Sequence, residues 1–179
     1  MDLQEVIRHL SAPRYRHDEI PPVSQLGVYA FHLTEPGALP IAAQGLLYVG
    51  MTEDGLDARN HFSQLRSGFS KLRRSLGALL KERLALQAVP RGKGASIQNI
   101  RNYNFTPEGE ARLSIWMKNH LAYAYFVAED DISLLEKGLI RAMCPPLNLT
   151  GWKNPQRGEI RALRKACADE AWAAQAQAC

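Results

Sequence analysis

The chain has 179 residues, 46% of them hydrophobic and 22% charged, a balance that supports one well-buried core and excludes a disordered or low-complexity chain. Its apolar runs, such as Leu121 to Ala128, are too short to span a bilayer, and Met1 to Glu5 lack the basic start and apolar core of a secretion signal, so a cytoplasmic protein without a membrane partner is expected. Arg59 to Arg101 holds ten basic residues and one acid, Glu82, a local charge of +9 that leaves −5 for the rest of a chain whose total is +4.

Leu3, Val6, Ile7 and Leu10 repeat at helical spacing over residues 2–10, and Pro21-Pro22 closes the polar connection that follows. Strands are predicted over about 26–33 and 46–51, joined by a turn region with Pro36, Gly37 and Pro40. After the turn at Asp54-Gly55 a helix should begin near Leu56 and carry Arg59, His61 and Phe62. A further helix, about 69–86, sets Phe69, Leu72, Leu76, Leu79 and Leu80 on one side and its basic residues largely elsewhere, and the glycine-rich stretch 90–103 reads as loop. Thr106-Pro107-Glu108 joins a capping hydroxyl to a proline at the first turn and should open a helix ending near His120. Leu121 to Ala128 reads as a third strand. Asp130 or Asp131 can cap the next helix, which Pro145-Pro146 must end. The last helix, about 157–174, places Ile160, Leu163 and Cys167 on one face and Arg157, Arg161, Arg164 and Lys165 on another, a stripe that suits solvent or a polyanion. Cys144, Cys167 and Cys179 form neither an even disulfide set nor a Cys-x-x-Cys pair and are expected as reduced thiols.

Three features carry chemistry. The basic segment is expected to track phosphates through Arg66, Lys71, Arg73 and Arg74, the plainer reading being a solvated face. Glu136 lies within the apolar stripe Ile132, Leu135, Leu139, Ile140 and Met143, where a carboxylate is costly unless paired; a buried ion pair with an arginine and a divalent-metal ligand both satisfy it. Gly27-Val28-Tyr29 and Tyr48-Val49-Gly50 put a tyrosine and a glycine on each strand of the proposed hairpin, and a glycine inside a strand marks close approach of another group.

These tripeptides, followed by Arg59, Glu136 and Asn148 in that order, resemble the GIY-YIG nuclease family. The resemblance covers about 26–66 and 121–150, with the basic segment inserted between. It departs at Met51, where some relatives have lysine, and at Ser63, where some have histidine; His61 is a candidate substitute imidazole, although two residues along a helix point it to another face. The resemblance implies an α+β domain with a small three-stranded, mainly antiparallel sheet flanked by helices. It also implies a metal-dependent endonuclease acting on nucleic acid, with DNA the expected substrate and Mg²⁺ the cofactor, Mn²⁺ substituting. Its implied site is Tyr29, Tyr48, Arg59, Glu136 and Asn148, with Glu136 holding the metal. The expected organisation is an N-terminal helix and connection (1–25), the nuclease domain (26–150) with a basic insertion at about 67–108, and a C-terminal helix (151–179). The rival reading is a nucleic-acid-binding module that kept the fold without cleavage.

Overall fold

A computed structural model describes residues 2–41, 45–57, 61–62, 65–92, 96–128 and 131–177. The chain forms two compact units, Met1–Asn60 with Lys118–Gln156, and His61–Met117 with Arg157–Cys179.

The first unit contains α1 (Leu3–Leu10), β1 (Gly27–Leu33), β2 (Leu46–Thr52), β5 (Leu121–Val127) and α5 (Ile132–Met143). Its sheet has the order β2-β1-β5 and is antiparallel throughout, the small helix-flanked sheet that the sequence implied. Alternation along the strands separates two faces. Val28, Ala30, Val49 and Ala124 meet Val6 and Leu10 of α1 and Ile132, Leu135, Leu139 and Ile140 of α5 in one core. The register pairs Tyr29 with Gly50 and Tyr125, and Phe31 with Tyr48 and Tyr123, so the opposite face is aromatic.

Each outer edge of the sheet gains partners from a neighbouring segment. Arg14 and Tyr15 N–H donate to the Tyr123 carbonyl and Tyr123 N–H donates to that of Tyr15, while Leu147 N–H donates to the Leu47 carbonyl at the other edge. Helix α1 starts where the Asp2 side chain accepts from Gln4 N–H (3.0 Å). Helix α5 has Asp131 at its N-cap position, but in left-handed backbone and without a side-chain cap bond; it ends at Cys144, also left-handed, before Pro145-Pro146. His32, on the helix-covered face, sits with Nε2 2.9 Å from the Leu10 carbonyl, and burial lowers its pKa.

The second unit contains α2 (Lys71–Leu79), β3 (Ala88–Val89), α3 (Ile97–Arg101), β4 (Asn104–Phe105), most of α4 (Pro107–His120) and α6 (Arg157–Gln177), which packs on α2, α3 and β3. Helix α2 is shorter than expected. Ser70 caps it, its Oγ accepting from Arg73 N–H (3.1 Å). Beyond Leu79 the chain turns back through Ala85 at φ 47°, and Arg112 donates to the Leu84 and Ala85 carbonyls at 2.7 Å each, satisfying acceptors a longer helix would have used. The stretch expected as loop contains α3, started by Ser96 Oγ accepting from Asn99 N–H (3.2 Å). Leu56, Asp57, His61 and Phe62 form turns where a helix was expected. Among the described residues no helix is long and apolar enough to cross a membrane.

Candidate active site

Tyr29 and Tyr48 come from neighbouring strands and share the aromatic face. Both are buried, with ring centroids 6.4 Å apart. Tyr29 stacks on Tyr123 at 5.8 Å and meets Phe31 edge-on at 6.0 Å, which fixes the ring. Gly50 explains where its phenol goes. A Cβ at position 50 would lie 2.5 Å from the Tyr29 hydroxyl, so only glycine lets the Tyr29 side chain reach across strand β2. Close approach of another group is what a strand glycine implies, and the group is the candidate catalytic tyrosine of the next strand.

Asn148 holds the same stretch of β2 from the other side. Val49 N–H donates to Asn148 Oδ1 (2.9 Å), and Asn148 Nδ2 donates to the Val49 carbonyl (2.8 Å). Its amide therefore replaces a partner strand for the one residue between Tyr48 and Gly50. The Asn148 backbone carbonyl is itself held, accepting from Trp152 Nε1 (3.0 Å) and Asn154 Nδ2 (3.1 Å). This geometry makes Asn148 a positioning residue: it sets the backbone that carries Tyr48 and accommodates Tyr29.

Glu136 lies on α5, whose apolar side chains pack on β1 and β2 from the helix-covered face. It is half-buried, in contrast to the fully enclosed Leu139 one turn on. Arg59 lies outside the described residues. The structure thus brings Tyr29, Tyr48 and Asn148 together around Gly50, whereas Glu136 lies on the helix that covers the opposite face of the same two strands.

Sequence reasoning missed Tyr123. Its ring lies against Tyr29 and Phe31, and its buried hydroxyl has no hydrogen-bond partner among the described residues. Burial first, then the neighbouring Tyr29 and Tyr125, push its pKa far above the ordinary phenol value, so it stays protonated and available as a donor. The signal was the alternation Leu121-Ala-Tyr-Ala-Tyr, with small residues toward the helices and tyrosines toward the other face.

In the second unit the four proposed phosphate contacts divide. Arg66 and Lys71 are exposed. Arg73 is fully buried and donates from Nη2 to Glu110 Oε2 (2.7 Å) and from Nη1 to Ser114 Oγ (3.0 Å) and the His61 carbonyl (3.1 Å). Arg74 is also buried, donating to the Gly68 carbonyl at 2.6 Å. The expectation that Arg73 and Arg74 hold phosphates is corrected: their guanidinium groups are committed inside the unit. Lys81 of the same basic segment pairs with Glu170 (3.1 Å). His61, the candidate substitute imidazole, is buried, with Nδ1 2.9 Å from Ser70 Oγ, an interaction that anchors the start of α2.

Among the described residues no three His, Cys, Asp or Glu side chains cluster as metal ligands. A Mg²⁺ ion takes one or two protein carboxylates and completes its shell with water and substrate oxygens, and a single half-buried carboxylate such as Glu136 fits that donor set. Compared with known families, the chain matches the model of the GIY-YIG catalytic domain over residues 39–166, a span that includes Tyr48, Arg59, Glu136 and Asn148 and starts beyond Tyr29. No curated protein and no solved structure matches it.

Proposed function

Since the chain belongs to the GIY-YIG catalytic domain family, a family of nucleases, we propose that it is a metal-dependent endonuclease that hydrolyses DNA phosphodiester bonds. The observation that carries this reading is the Tyr29 hydroxyl lying over Gly50 beside Tyr48, on backbone fixed by Asn148. Hydrolysis forms a bond from a water oxygen to phosphorus, breaks the bond to one ester oxygen, and must dispose of a proton. In this proposal Tyr29 Oη, deprotonated, takes the proton, and Tyr48 orients the water. Arg59 binds the non-bridging phosphate oxygens through its planar donor pair. Glu136 would hold Mg²⁺, or Mn²⁺ in its place, which when bound supplies positive charge to the phosphate oxygens.

The test is incubation of the purified chain with labelled DNA and RNA of several shapes in Mg²⁺, Mn²⁺ or EDTA, with Tyr29→Phe as the comparison. Wild type is expected to cut DNA only with metal. Loss of the one oxygen in Tyr29→Phe should lower the rate about a hundredfold or more, the scale of a general base. Binding without cleavage under all these conditions would leave a nucleic-acid-binding module in its place.

The exposed cations supply a second expectation. Combined replacement of Arg66 and Lys71 by alanine should weaken DNA binding and reduce the slope of log affinity against log salt by about two, one for each phosphate contact. An unchanged slope would assign both side chains to solvent.

A further inference from the structure

We propose that Phe69 and Arg91 form a stacking platform for an unpaired base of the nucleic-acid substrate. This rests on the nuclease reading for the class of ligand and on the second unit for the site. Phe69 ends a 3₁₀ turn, Ser67–Phe69, and the residue is 54% exposed. The Arg91 guanidinium lies over that ring, 4.8 Å from its centroid.

The pair is built into a supported turn. Glu110 Oε1 accepts from Ser67 N–H (2.8 Å) and Oε2 from Ser67 Oγ (2.9 Å), while Gly68 N–H donates to Asn104 Oδ1 (2.7 Å). A Cβ at position 68 would lie 2.6 Å from Arg91 Cγ, so the glycine admits the arginine stem alongside the turn. Asn104 Nδ2 donates to the Arg91 carbonyl (3.3 Å), and Arg91 Nη2 donates to Asn99 Oδ1 (3.3 Å), which orients the guanidinium. An exposed aromatic ring held in place loses little freedom when a flat partner stacks on it.

The flanking charges choose that partner. Arg66 and Lys71, three residues before Phe69 and two after it, are exposed and cationic, and no acidic residue lies between them. Phosphates on these cations would bring the attached base to the ring, an arrangement typical of single-strand binding, in which aromatic faces stack bases of any sequence. Paired bases inside a duplex present no such face. The platform therefore selects single-stranded, flapped or mismatched positions over continuous duplex.

The experiment is binding in EDTA to three fluorescent oligonucleotides of equal length: a thymidine single strand, an abasic single strand and a blunt duplex. Phe69→Ala and Phe69→Leu should each lose about tenfold in affinity for the thymidine strand and less than twofold for the other two, leucine showing that apolar bulk does not replace a flat ring. Phe69→Trp should bind as wild type does, and its added emission should be quenched by the thymidine strand but not by the abasic one. Equal losses on all three ligands, no loss on any, or a wild type that does not bind single strands would overturn the proposal. Cleavage of duplex is measured separately with metal. A chain that stacks bases but never cuts would sink the nuclease reading alone, and one that cuts while Phe69→Ala binds thymidine normally would sink the platform alone.

Discussion

Replacing Arg73 by methionine should lower the stability of the chain by about 3–5 kcal/mol and its melting temperature by roughly 10 °C, without changing the salt dependence of DNA binding. The side chain is fully buried, and its ion pair with Glu110 is 2.7 Å long. Glu110 also accepts from Ser67 N–H, Ser67 Oγ and Phe105 N–H, so its carboxylate ties the 3₁₀ turn and β4 to α4. Methionine fills much of the volume but leaves that carboxylate without its cation, and an uncompensated buried charge is the largest part of the cost. Arg73→Met combined with Glu110→Gln should recover a good part of the loss, because glutamine keeps the two backbone acceptor contacts and carries no charge. Denaturant unfolding of the two single variants and the double variant checks this. A single variant as stable as wild type but weaker on DNA would return Arg73 to the phosphate-binding surface.

The pair also shows where sequence reading stopped. Arg73 stands beside Leu72 and one turn from Leu76, at the border of the apolar stripe, and nothing local distinguishes it from the solvated Lys71. Its partner Glu110 lies 37 positions later on another helix, so the neutralisation is visible only once α2 and α4 have met. A run of ten cations thus read as one surface, although two of them are interior and a third is paired with Glu170. Ala85 is a similar case: it ends the α2 region in left-handed backbone, a conformation that glycine or asparagine would have announced and alanine does not.

The sheet was easier to read because its information is periodic. The turn residues fixed the strand limits to within a residue or two, and the alternation that puts Val28, Ala30 and Val49 on one face and Tyr29 and Tyr48 on the other follows from those limits. Gly50 could be recognised as a point of close approach, but that Tyr29 is what approaches needed the register. Asn148 was singled out through the order of motif residues. Its two bonds to Val49 were not foreseeable, since they depend on the segment after α5 returning to the free edge of β2.

Glu136→Gln should abolish metal-dependent cleavage while leaving the fold intact. The substitution keeps the length and polarity of the side chain and removes only the charge assigned to holding Mg²⁺. Because an amide is less costly to bury than a carboxylate and keeps hydrogen-bonding capacity at this half-buried position, the melting temperature should stay within a few degrees of wild type. DNA affinity measured in EDTA should persist or rise slightly, one negative charge near the phosphate having been removed. Were Glu136 instead the partner of a buried arginine, the same change would leave that cation uncompensated and lower stability by about 3–5 kcal/mol. The decisive measurement is therefore the cleavage rate of labelled DNA by Glu136→Gln in Mg²⁺, taken with melting temperature and metal-free affinity on the same preparation. The expected result is background cleavage by a folded protein that still binds DNA; cleavage at the wild-type rate, or loss of activity only through unfolding, would contradict the assignment of Glu136 as the metal-holding residue of the nuclease site.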